Sequence, residues 1–189
     1  MRAGLDNNIL VWATRMDPRP VDGGGRDIAD LQRRAQTLVA DLNQKSFDIV
    51  IPAVVLSEYL CAINTAKHGN VIAVFKELFF TQPFDDHAAA VAASLYRSTR
   101  TLEVEPGQTK RVLKIDTMVV ASAHVARCST FYSNDKRCRK LAEMLGMIAR
   151  DLPTHSEDLL INLEAGLPPS EGGLPPILPP DDLPPFALE

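Results

Sequence analysis

Ile49-Val50-Ile51-Pro52-Ala53-Val54-Val55-Leu56-Ser57-Glu58 is the stretch that sets the fold class. Ile49-Val50-Ile51 shows no polar alternation, so both faces of that strand must be covered, as in a parallel sheet packed between helices. Pro52 lacks an N–H and stops the ladder, while its fixed φ suits the first turn of a helix. That helix is expected to run to about Lys67, with Gly69 ending it. Glu58 lies on it beside Leu56, Tyr59 and Leu60, a surrounding that is at least partly buried. Glutamate is rarely buried without a partner.

The same strand-then-helix reading extends in both directions. Residues 2–6 form a short buried strand ending at Asp6, and Asn7 or Asn8 can cap the helix that begins with Ile9-Leu10-Val11-Trp12. Asp17 to Gly25 holds two prolines and three consecutive glycines and is expected to be a loop. Residues 27–44 place Ile28, Leu31, Ala35, Leu38, Val39 and Leu42 on one helical face. Residues 70–79 read as helix and 80–84 as extended, and Asp85-Asp86 precede a helix over about 87–99. A loop around Pro106-Gly107 leads to a helix over about 112–127, a strand at 129–133, and a helix at 136–145. Gly146 caps that last helix, and Met147-Ile148-Ala149 makes a short edge strand. Strands alternating with helices predict an α/β domain over residues 1–150, with a central, mostly parallel sheet flanked by helices on both faces. Its ligand site should lie beyond the carboxyl ends of the strands. A helix within 151–165 is expected to dock on this domain. Residues 166–189, where Leu-Pro-Pro recurs four times, form a Pro-rich acidic tail outside the core.

The chain of 189 residues fits one domain with an extension, and 46% hydrophobic residues suffice for one core. Eight of the 24 acids lie in residues 151–189, which hold no Lys or Arg, leaving 16 acids against 20 basic residues in the body. A mildly basic body suits a polyanionic ligand. Cys61, Cys128 and Cys138 are odd in number and lack metal spacing, which fits reduced thiols in a cytoplasmic protein. Cys61 and Cys128 fall in apolar helical patterns. Asp6 interrupts the N-terminus before any signal-peptide core, and no apolar run approaches membrane-spanning length.

Asp6, Glu58, Asp116 and Asp135 each sit within or beside an apolar stretch where the pattern changes. An Asp that opens a helix can simply cap it, as Asp116 would, and Asp135 after Asn134 can close an Asx turn. Asp6 at the end of a central strand is harder to explain so, because an unpaired buried carboxylate is costly. The sequence has no matching series of apolar-embedded Lys or Arg to neutralise all four. A divalent cation with oxygen ligands would do so, and hard oxygens suit Mg²⁺ or Mn²⁺.

These residues resemble the motifs of the PIN-domain nucleases, particularly the VapC-type toxin ribonucleases of toxin–antitoxin systems. The resemblance covers roughly residues 2–150. It is carried by Leu5-Asp6-Asn7-Asn8 after a strand and by Leu56-Ser57-Glu58-Tyr59-Leu60 on the next helix. Lys114-Ile115-Asp116-Thr117 opening an Ala-rich helix, and Phe131-Tyr132-Ser133-Asn134-Asp135 closing a strand, complete it. It implies a PIN-like three-layer fold and an Mg²⁺- or Mn²⁺-dependent endoribonuclease. Asp6, Asp116 and Asp135 would hold the metal, and Glu58 would orient water or complete a second metal site. Asn8 and Ser133 would fix the carboxylates, and Lys114, Lys136 and Arg137 could contact phosphates. The products would carry 5′-phosphate and 3′-hydroxyl ends. The same resemblance implies an RNA substrate, the toxin role in a type II toxin–antitoxin pair with a cognate antitoxin, and a homodimer. An RNA-processing nuclease outside such a system, or a non-catalytic binding module, are the alternatives. The chain departs from the family at Cys138, where an aromatic residue is frequent, and in the 17–25 loop and the tail.

Overall fold

In the computed structural model, residues 1–14, 27–99 and 110–154 are described. The strands are β1 (Arg2–Leu5), β2 (Asp48–Pro52), β3 (Phe80–Gln82), β4 (Thr130–Tyr132) and β5 (Ile148–Arg150). The helices are α1 (Asn7–Thr14), α2 (Ile28–Gln44), α3 (Ala53–Cys61), α4 (His68–Leu78), α5 (Asp86–Thr99), α6 (Lys110–Val125) and α7 (Lys136–Met144). All strand pairings are parallel, in the order β3-β2-β1-β4-β5. The expected parallel sheet flanked by helices is therefore borne out. Ala3 of the central strand pairs with Ile49 on one side and Thr130 on the other. The strand order reverses at β1, so the topological switch point lies between β1 and β4, and such points are where open α/β sheets bind ligands.

The packing follows from the apolar pattern. Ile28, Leu31, Ala35, Leu38, Val39 and Leu42 are all buried, so one stripe of α2 faces the core. Tyr59 packs on Phe75 with ring centroids 4.9 Å apart, and Phe75 on Phe79 at 5.3 Å, which ties α3 to α4. Gly4 sits where a Cβ would come 2.9 Å from Phe131 Cδ2 and 3.0 Å from the Ala123 methyl. The close seating of α6 on β1 and β4 thus depends on a missing side chain. At the end of α7, Met147 N–H bonds Ala142 O and Gly146 N–H bonds Glu143 O, with Gly146 at φ +79°. This is the left-handed turn that glycine enters at least cost.

Several boundaries differ from expectation. The helix after β2 ends at Cys61, not near Lys67. Asn64 then caps a single 3-10 turn, Thr65–Lys67, through its side chain to Ala66 N–H. His68 Nε2 lies 3.0 Å from the carbonyls of Leu60 and Ile63, where it serves the end of α3. Gly69 is consequently inside the first turn of α4 and ends nothing. Helix α1 starts at Asn7, with Asp6 at the capping position and its carbonyl accepting from Leu10 N–H at 3.1 Å. Helix α6 starts at Lys110, so Asp116 is well inside it and is not its first residue. It ends at Val125, and Cys128 lies in the turn before β4 instead of on the helix. The 17–25 loop, the loop expected around Pro106-Gly107, most of the segment 151–165 where a docking helix is expected, and the Pro-rich tail lie outside the described residues. Just before that limit Leu152 is buried, and Arg34 donates to the carbonyls of Pro153 and Leu152 at 2.5 and 2.6 Å. Among the described residues no helix is long and apolar enough to cross a membrane.

Candidate metal centre

Asp6 follows directly on the end of β1 and is 9% exposed. Its Oδ1 accepts from Asn7 N–H at 2.7 Å, and its Oδ2 accepts from the Ser133 hydroxyl at 2.6 Å. Ser133, fully buried just past β4, also accepts from Asp135 N–H at 3.0 Å. One hydroxyl thus links the carboxylate after β1 to the backbone of the acid after β4. Asp135 caps α7, its Oδ1 accepting from Arg137 N–H at 2.7 Å. The turn-forming role anticipated for Asp135 is real, yet it occupies one oxygen and leaves the other directed at the cluster.

Asp116 reaches the same place from inside α6, where capping cannot explain it. Its Oδ2 lies 2.5 Å from Arg137 Nε, and Arg137 Nη2 lies 3.1 Å from Asp135 Oδ2. The Asp116–Arg137 contact is short but poorly aligned: neither Asp116 Oδ2 nor Arg137 Nε, both buried, has a hydrogen bond of acceptable geometry. Ligand atoms of Asp116, Asp135 and Cys138 all lie within 4.8 Å of one another. Cys138 is 3% exposed.

The electrostatics tie all four acids into one cluster. Burial pushes the Asp6 carboxyl above its ordinary range, opposed by the Ser133 hydroxyl and the Asn7 amide, with the Asp135 charge adding to the rise. Burial raises Asp116 to about 6; Arg137 pulls it down, and Asp135 and Asp6 push it up. Glu58 rises to about 7 through loss of solvent and through repulsion from Asp6 and Asp116. Glu58 is exposed at the mouth of the cluster, so water screens part of that repulsion and the direction of its shift is firmer than its size. Like charges crowded in this way favour a bound cation.

Some expected residues fall elsewhere. Asn8 is exposed, and the group bonded to Asp6 is the amide of Asn7, whose own Oδ1 is buried without a hydrogen bond. Lys114 and Lys136 are exposed, and the Lys114 ammonium lies 5.6 Å from the Tyr96 ring centre. Arg137 is instead held between two carboxylates. Arg139 was not anticipated as a positioning residue, but it bonds Ser133 O at 2.6 Å and pairs with Asp151 at 3.1 Å. A basic first turn after Asp135 was the signal in the sequence, but it does not reveal which way each side chain turns.

The sheet and its acid cluster define an all-parallel α/β protein with oxygen donors gathered at the switch point, suited to a hard cation. The chain belongs to the PIN-domain family, a family of nucleases, whose sequence model matches residues 26–144. The match begins after β1, so the place of Asp6 rests on the geometry. No curated protein matches the chain. The fold is similar to that in the crystal structure of VapBC2 from Rickettsia felis bound to a DNA fragment from their promoter. That likeness has a TM-score of 0.51 and 14% identity over 81% of this chain and 100% of that one. The DNA-bound VapBC from Salmonella typhimurium aligns with a TM-score of 0.49 and 15% identity, over 81% of this chain and 99% of that one.

Proposed function

We propose that the protein is a divalent-metal-dependent endoribonuclease and the toxin of a toxin–antitoxin pair. The observation that carries the nuclease reading is the convergence of Asp6, Glu58, Asp116 and Asp135 from β1, α3, α6 and the β4–α7 turn. The donors are crowded carboxylate oxygens, and Asp116 Oδ2 is already held against a cationic group, Arg137, so the residues fit a hard cation such as Mg²⁺ or Mn²⁺. Asp6, Asp116 and Asp135 would hold the ion. When bound, it supplies polarisation of a phosphoryl oxygen and acidification of a coordinated water. Ser133 keeps Asp6 oriented, and a change there would disturb Asp135 as well. Glu58, at the open mouth, would orient the attacking water or complete a second metal site. Lys114 and Lys136 are exposed and can meet phosphates of the RNA backbone.

The toxin assignment rests on the family and on the fold shared with VapBC assemblies, and it carries with it a cognate antitoxin and a homodimer. The test is incubation of total RNA with the protein plus Mg²⁺, Mn²⁺ or EDTA, with the product ends mapped. Cleavage that needs the metal, leaves 5′-phosphates and disappears in D116N and D135N is expected. Metal-independent cleavage, or cleavage retained in both variants, overturns the reading. A growth arrest on expression, reversed by a small adjacent gene, tests the toxin role separately.

A further inference from the structure

Cys138 has no part in the chemistry above, yet it is the third member of a close donor group with Asp116 and Asp135. Its Sγ and one carboxylate oxygen each from Asp116 and Asp135 lie within 4.8 Å of one another. Among the described residues the thiol has no hydrogen bond, it is 3% exposed, and it faces the two carboxylates. Cys138 is also part of the hydrophobic core, where a thiol packs as a small apolar side chain. Its sulfur beside two carboxylates nevertheless makes a mixed donor set, in which Asp116 Oδ2 meets Arg137 through a short, poorly aligned contact.

We propose that Asp116, Asp135 and Cys138 form a second metal-binding mode, in which a thiophilic divalent cation of the Zn²⁺ class is held by two carboxylate oxygens and the Cys138 sulfur. Mg²⁺ prefers an all-oxygen shell and has little affinity for sulfur. Zn²⁺ takes Cys sulfur and Asp oxygen together, and a coordinating thiol gives up its proton outright. In this step the S–H bond breaks, the S–Zn bond forms and the proton leaves to the buffer, with no change in oxidation state. Arg137, now between the two carboxylates, is the cation that Zn²⁺ displaces. Because both modes use Asp116 and Asp135, they exclude one another, and Zn²⁺ acts as an inhibitor that Mg²⁺ or Mn²⁺ must compete away.

The inference rests on the reading of this cluster as a cation site, and the experiment separates the two. Purified full-length protein is titrated with Co²⁺, a spectroscopic stand-in for Zn²⁺, and thiolate-to-metal charge transfer is followed in the near ultraviolet. The band is expected in the wild type and in C61S, and is expected to vanish in C138S and C138A. By calorimetry, both Cys138 variants should bind Zn²⁺ at least about tenfold more weakly while Mn²⁺ affinity stays within about threefold, since loss of a supporting group alone costs about 10–100-fold. The wild-type spectrum needs no variant, so a folding defect cannot obscure the result. Absence of the band in the wild type, its survival in C138S, or equal Zn²⁺ affinities overturns the sulfur mode and leaves the carboxylate site standing if Mn²⁺ still binds. Failure of the wild type to bind either Mn²⁺ or Zn²⁺ overturns both.

Discussion

Replacing Asp116 by asparagine removes a charge that the metal-free fold holds at a cost. Its pKa rises from 3.8 to about 6 on folding, and that value already includes the attraction of Arg137. A rise of roughly 2 units at about 1.36 kcal/mol each makes the ionised carboxylate unfavourable by about 3 kcal/mol. The side chain is only 14% exposed, so solvent screening leaves most of this in place. Because the folded pKa lies above the unfolded one, the native state binds the proton more tightly between the two values. Wild-type stability therefore falls as pH rises from about 4 through about 6, whereas the amide introduced by D116N does not titrate. In EDTA at pH 8, D116N should be the more stable protein, by up to about 3 kcal/mol or about 6–12 °C in Tm. At pH 4 and below the two should converge. Urea unfolding of both proteins at pH 4 and pH 8 measures the difference. A D116N protein no more stable than wild type at pH 8, or a gain of the same size at both pH values, would refute the crowded-carboxylate account.

Mn²⁺ affinity should weaken as pH falls from 7.5 to 5, because Glu58 at about 7 and Asp116 at about 6 take up protons that the ion must displace. Calorimetry would read up to about tenfold per pH unit for each proton released, and a flat profile would exclude these groups as ligands. Ser133→Ala removes the donor to Asp6 and the acceptor for Asp135 N–H together. It should cost about 1–3 kcal/mol in urea unfolding and lower metal affinity by about tenfold or more; an unaffected Mn²⁺ titration would show that the bridge does not organise the site. Gly4→Ala puts a methyl against Phe131 and Ala123 and should destabilise by about 1–3 kcal/mol, read as a lower Tm.

The sheet was legible because Ile49-Val50-Ile51 is apolar without alternation, and the acids because each interrupts an apolar pattern. Local breaks were less legible. Ala62-Ile63-Asn64 reads as helix continuing toward Gly69, but the Asn64 side chain captures Ala66 N–H and starts a new turn. Propensity favoured Gly69 as the stop, and a side-chain cap five residues earlier prevailed. Asp116 reads as a cap because the apolar run begins after it, although the helix itself is expected from about residue 112. The helix in fact starts at Lys110, and Arg111, Val112 and Lys114 on its first turns are exposed, so that part of the helix lacks the apolar signature. Side-chain direction was beyond the sequence altogether. Nothing in Lys136-Arg137-Cys138-Arg139 says that Arg137 turns inward to two carboxylates, that Cys138 joins them, or that Arg139 turns to Ser133 O and Asp151.

The inward turn of Arg137 has a consequence for how the protein is made. A zinc finger without its ion is an unfolded chain, because nothing else holds its ligands together. Here the guanidinium serves as a provisional cation, built into the polypeptide and lying against Asp116 and Asp135. If the cluster takes a cation as proposed, folding and metal loading would be separable events. The chain would not need the ion to bring its carboxylates together, and the ion would take the place of a side chain already there.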